Sequence, residues 1–109
     1  MRRYLLNALV PARGTMRVFG PVQLTEDLAQ RIGRWADASY IGHPATAALL
    51  GVAPSRGEAA PQAGDAAVVV RLRRRSPQPG ADLQVQPEDL EAWFVLYGED
   101  DSGILPPWQ

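Results

Sequence analysis

The run Ala66–Arg75, AAVVVRLRRR, constrains the fold more than any other stretch. Its first half is rich in β-branched residues and follows the turn pair Gly64-Asp65, so it predicts a strand. A second run, Arg3–Val10 (RYLLNALV), is apolar almost throughout and reads as a central strand of a sheet. Met16–Leu24 holds a further strand, interrupted by Gly20-Pro21, a pair that marks an edge strand or a bulge. Thr25 is an N-cap candidate with Glu26 and Asp27 in the first turn, and Leu28, Ile32 and Trp35 share one face of the helix that follows. A second helix starts after His43 and ends near Gly51. A short irregular strand is expected around Glu58–Ala60, a short acidic helix over Pro87–Trp93 (PEDLEAW), and a last strand over Phe94–Tyr97. The order ββααββαβ predicts an α/β domain with a mixed sheet of about five strands and helices packed on it.

At 109 residues and 46% hydrophobic content, this is one domain with one core, expected over 1–99 with an irregular tail over 100–109. Within that tail Trp108 is a candidate contact for a partner subunit. No apolar run approaches the ~20 residues of a membrane span. The N-terminal MRRYLLNALV holds Asn7 in a short apolar run with no small-residue cleavage site after it, so it does not read as a signal peptide. The chain has no cysteine, which removes disulfides and thiolate metal sites and fits a cytoplasmic protein. With one histidine and scattered carboxylates, no metal site is expected. P-loop, dinucleotide-binding and nucleophile-elbow motifs are lacking too.

Charge is segregated. All eleven basic residues are arginine, and the densest cluster is Arg71, Arg73, Arg74 and Arg75. Alternation in a strand puts Arg71, Arg73 and Arg75 on one face, where guanidinium groups can grip phosphate in a bidentate manner. A solvated sheet face explains the same pattern equally well. His43 stands before Pro44, a residue suited to the first helical turn, so it falls at or beside the N-cap. Ala45, Thr46 and Ala47 then offer free backbone N–H groups to an anion. A histidine so placed can pass a proton to an oxygen leaving phosphorus, or it can simply precede a helix. Asn7 sits inside an apolar run, where a buried amide needs a partner: a neighbouring backbone group or a purine edge.

Taken in order, YLLNALV, YIGHPATAALLGV, PQAGDAAVVVRLRRR and EAWFVLYGE resemble the viral ring nucleases, the type III anti-CRISPR proteins first catalogued as a domain of unknown function in archaeal viruses. The most specific part is an Asn-Ala pair in an apolar strand, followed about 35 residues later by Ile-Gly-His-x-Ala-Thr, here Ile41 to Thr46. The resemblance runs from about Arg3 to Glu99. It implies a homodimer that binds cyclic tetra-adenylate across its two-fold and cleaves it without metal or cofactor. The adenosine 2′-OH attacks the adjacent phosphorus, giving linear di-adenylate with a 2′,3′-cyclic phosphate. His43 matches the general acid, Arg75 the arginine at the scissile phosphate, and Asn7 the asparagine of the ligand site; Gly42, Ala45 and Thr46 belong to the same motif. Neither DNA nor a membrane is an expected partner. The chain departs from the family at Val10, where a small hydroxyl residue is common, at Arg71, in place of a glutamine, and at Gln78, in place of a loop acid that is followed here by Pro79. These departures keep two alternatives open: a protein that sequesters a cyclic oligonucleotide, and a protein-interaction module of a mobile element.

Overall fold

The structure is a computed structural model and describes residues 1–12, 14–73, 85–99 and 103–109. Its elements are β1 (Arg3–Leu6), β2 (Met16–Gln23), α1 (Glu26–Trp35), β3 (Ala38–Tyr40), α2 (Pro44–Leu50), β4 (Ala66–Leu72), a 3₁₀ turn (Pro87–Asp89) and β5 (Leu90–Tyr97). The strands form one mixed sheet in the order β2-β5-β4-β1-β3. Strand β1 pairs in parallel with both β3 and β4, while β5 is antiparallel to β4 and to β2. The carboxyl ends of β1, β2, β3 and β4 therefore share one edge of the sheet.

Burial follows this topology. Ala66–Val70 of β4 and Tyr4–Leu6 of β1 are buried on both faces, as central strands must be. Odd and even positions then separate two cores. On the first face Leu5, Val68, Val70, Leu90, Ala92 and Phe94 meet Ala29, Ile32, Ala47 and Leu50 of the helices. Each fully buried leucine or isoleucine there contributes about 1.5–3 kcal/mol. On the second face Tyr4, Leu6, Ala67, Val69, Val95 and Tyr97 are covered by Val10, Ala12, Met16, Tyr40 and Ala59, all from strand edges and connections. No helix of the described chain is long and apolar enough to cross a membrane.

Helix α1 starts as its sequence dictates: Thr25 is the N-cap, and its Oγ1 accepts the Leu28 N–H at 3.1 Å. Ile32 is fully buried, with Leu28 and Trp35 packed beside it. Strand β2 has the expected edge position, and its register against β5 shifts between Phe19 and Val22, around Gly20-Pro21. Residues 103–109 hold no helix or strand, yet Ile104 and Trp108 pack on the first-face core. Trp108 meets Phe94 of its own chain edge-on at 6.3 Å, and Trp35 meets the same ring at 6.1 Å.

Four details differ from the sequence-based expectation. A short strand, β3, lies between the two helices and pairs with β1. Glu58–Ala60 forms no strand; it is an extended connection that lays Ala59 on the second-face core. The acidic helix reduces to the 3₁₀ turn, because as a strand Leu90–Tyr97 pairs with β4 and buries Leu90, Ala92, Phe94, Val95 and Tyr97. Strand β1 ends at Leu6, so Asn7 is exposed and is not the buried amide its apolar neighbours imply. The chain leaves the sheet there because it must cross the second face to enter β2.

The two helices touch at a glycine. A Cβ on Gly33 would lie 1.8 Å from the Leu50 carbonyl oxygen, which is backbone and cannot swing aside. The substitution Gly33→Ala is expected to lower stability by about 2 kcal/mol or more through forced separation of α1 and α2. Denaturant unfolding of the two proteins checks this, and an unchanged midpoint would contradict the packing described.

Candidate functional site

The segments that follow β1, β3 and α2 meet at the edge where the parallel strands end. His43 is the N-cap of α2; its backbone is extended and its side chain, exposed, caps nothing. The His43 carbonyl accepts the first helical bond, from Ala47 N–H at 3.0 Å. Pro44 at the next position has no N–H, which leaves those of Ala45 and Thr46 as the unpaired donors of the first turn. Ala45 is half-buried, while Thr46 is only 6% exposed and offers little besides its backbone to the rim.

Gly42 links this histidine to β1. A methyl group at Gly42 would stand 3.7 Å from Asn7 Nδ2 and 3.3 Å from the Ser55 carbonyl oxygen. Asn7, the residue after β1, and His43, three residues after β3, are thus brought together because β1 and β3 are parallel neighbours. A side chain at position 42 would press on the Ser55 carbonyl, while its contact with the Asn7 amide would be an ordinary one.

An arginine that the motif reading did not single out joins them. Ser55 N–H donates to the Ile41 carbonyl at 2.9 Å, fastening the following loop to the His43 segment. Ser55 Oγ then accepts Gly57 N–H at 3.3 Å, and Gly57 lies against the Tyr40 ring. The turn between them presents Arg56, which is exposed and has no carboxylate partner among the described residues. Its signal in the sequence was Ser-Arg-Gly, since serine commonly closes such turns on the second N–H ahead.

The arginine strand divides. Arg71 leaves the second face of β4, opposite Glu91 in register, and its guanidinium lies 6.0 Å from the Trp93 ring centre. There it lines a shallow groove of about 150 Å³ with Leu9, Val18, Val69, Trp93 and Val95. Arg71 is therefore on the sheet face opposite α2, though at the same edge as His43. Arg73 lies just past the strand, where its N–H bonds the Asp89 carbonyl at 2.8 Å and its guanidinium the Glu88 carbonyl at 3.3 Å. Arg75 and Gln78 lie outside the described residues.

The connection that carries Asn7 is tied down by Tyr97, whose hydroxyl donates to the Val10 carbonyl at 2.9 Å. Burial, and secondarily the charge of Asp65, holds the Tyr97 hydroxyl in its protonated, donating form by raising its pKa.

No protein-family profile matches this sequence, and no curated protein is similar to it. Among solved structures, the fold is similar to that of B116 of Sulfolobus turreted icosahedral virus, with a TM-score of 0.57 at 16% identity. The match covers 89% of this chain and 100% of the viral protein. The molecule is thus an α/β domain with the architecture of a viral protein.

Replacing Tyr97 by Phe is expected to cost about 1 kcal/mol by leaving the Val10 carbonyl unbonded. Amide exchange over residues 7–12 should quicken more than exchange in β4. Equal changes in both would show that the hydroxyl does not hold this connection.

Proposed function

We propose that the protein is a metal-independent ring nuclease acting on cyclic tetra-adenylate, with His43 as general acid. The observation that carries this reading is the approach of the Asn7 amide to Gly42, the residue before exposed His43, with Ser55, the neighbour of exposed Arg56, fastened to the same segment. An anionic ring with purine bases needs all three kinds of group: a proton donor, an amide that can read a base edge, and cations for phosphate. Similarity in fold to a viral protein agrees with this reading in architecture.

In the reaction, an adenosine 2′-oxygen attacks its own 3′-phosphorus as the bond to the neighbouring 5′-oxygen breaks. The 2′-OH loses its proton to solvent or a site base, and imidazolium His43 gives a proton to the departing 5′-oxygen. One strand end then carries a 2′,3′-cyclic phosphate and the other a 5′-OH. Such proton transfer contributes 10²–10⁴-fold, and charge on the phosphoryl oxygens falls to arginine. Arg75 takes that role by its family resemblance, and exposed Arg56 is a second candidate for it. Cutting a four-phosphate ring twice calls for two such sites, which a homodimer supplies about its two-fold.

Gln78, which stands in place of a loop acid, favours a slow enzyme, with sequestration of the ring as the second reading. Incubation with cyclic tetra-adenylate in EDTA, followed by chromatography, tests both. Linear di-adenylate should form, and His43→Ala should slow its formation by about 10²-fold or more while retaining binding. Arg56→Ala should weaken binding by about tenfold. Tight binding with no product would replace the nuclease by a sequestering protein, and absence of binding would overturn both.

A further inference from the structure

At the opposite edge of the sheet, far from His43, lies a larger concavity of about 750 Å³. It is bounded by the last turns of α1, the starts of β1 and β3, and residues 103–109. Three arginines face it: Arg3, Arg31 and Arg34. Arg3 is already engaged. Its guanidinium meets Asp37 at 3.5 Å and lies 5.7 Å from the Trp35 ring centre. The Asp37 carboxyl is held below its usual pKa, first by the Arg3 backbone N–H and also by the Arg3 side chain. Arg31 and Arg34 have no carboxylate partner among the described residues. One helical turn apart, they stand side by side on the same rim. Arg34 complements the helix dipole from the last turn, but Arg31 sits too far back for that to explain both. The facing wall is apolar, built from Ile104, Leu105 and Pro106, with Leu105 61% exposed.

We propose that this groove is a second binding site, for a nucleotide: phosphates on Arg31 and Arg34, and the base against the Leu105–Pro106 wall. The volume falls within the range of small-ligand sites, roughly 300–1,000 Å³. Paired guanidinium groups suit phosphate, and the carboxylate that shares this lining, Asp37, is held by Arg3 rather than by Arg31 or Arg34. An apolar wall beside them selects a ligand with a flat, weakly polar body over a bare anion. The site does not depend on ring cleavage, since it shares no residue with the His43 edge.

Calorimetric titration of the full chain with ADP, pyrophosphate and adenosine tests the assignment. ADP should bind, pyrophosphate more weakly, and adenosine not measurably. The double substitution Arg31→Glu with Arg34→Glu should lower ADP affinity by about tenfold or more, and Arg31→Gln with Arg34→Gln by several-fold, with unfolding midpoints near that of the parent. His43→Ala should bind ADP as the parent does, whatever it does to cyclic tetra-adenylate. Binding that survives both arginine pairs, or that is lost with His43, would overturn the site. Equal affinity for pyrophosphate and ADP would remove the nucleotide from the assignment, as would failure of the parent to bind ADP.

Discussion

Strand β1 spans only Arg3–Leu6, yet it is paired in parallel on both sides, with β4 through four residues and with β3 through three. Parallel neighbours cannot be joined by a hairpin, so the connections among β1, β3 and β4 travel across a face. One connection runs over the second face into β2; the path from β3 to β4 takes α2 over the first. That double pairing brings the residues after β1 and β3 to a common edge. Asn7, Gly42 and His43 are neighbours for this reason, although the sequence separates Asn7 from His43 by more than thirty residues.

The elements with strong local chemistry could be read from the sequence. Thr25 and the acidic first turn set the start of α1, and Pro44 set the start of α2 with His43 as its N-cap. Ala66–Val70 announced a buried strand. What could not be read depended on pairing at a distance. Ala38–Tyr40 is too short to carry a period of its own and becomes a strand only because β1 offers it a free edge. Glu88 and Asp89 look like the first turn of a helix, but Leu90–Tyr97 gains more by burial against β4 than a short helix would. Asn7 looked buried because its neighbours are apolar; Leu9, just beyond it, is itself 43% exposed.

The candidate site was partly readable in the same sense. His43 and Gly42 carry a local pattern, and the resemblance to ring nucleases linked them with Asn7. Arg56 carried only the turn pattern Ser-Arg-Gly, which does not say where the turn lies; the clasp between Ser55 and Ile41 sets that. Arg71 shows the limit of strand alternation as a guide. Its face follows from parity, but parity alone could not say that Trp93 would lie beneath its guanidinium. Arg73, of the same parity, is occupied by backbone carbonyls beyond the strand end.

The edge-on contact of Trp108 with Phe94 has a geometric consequence for residues 103–109. By seating residues 103–109 on the helical face, it brings Gln109 to the same concavity that Met1 lines. Residues 1 and 109 therefore line one concavity, although they lie far apart along the chain.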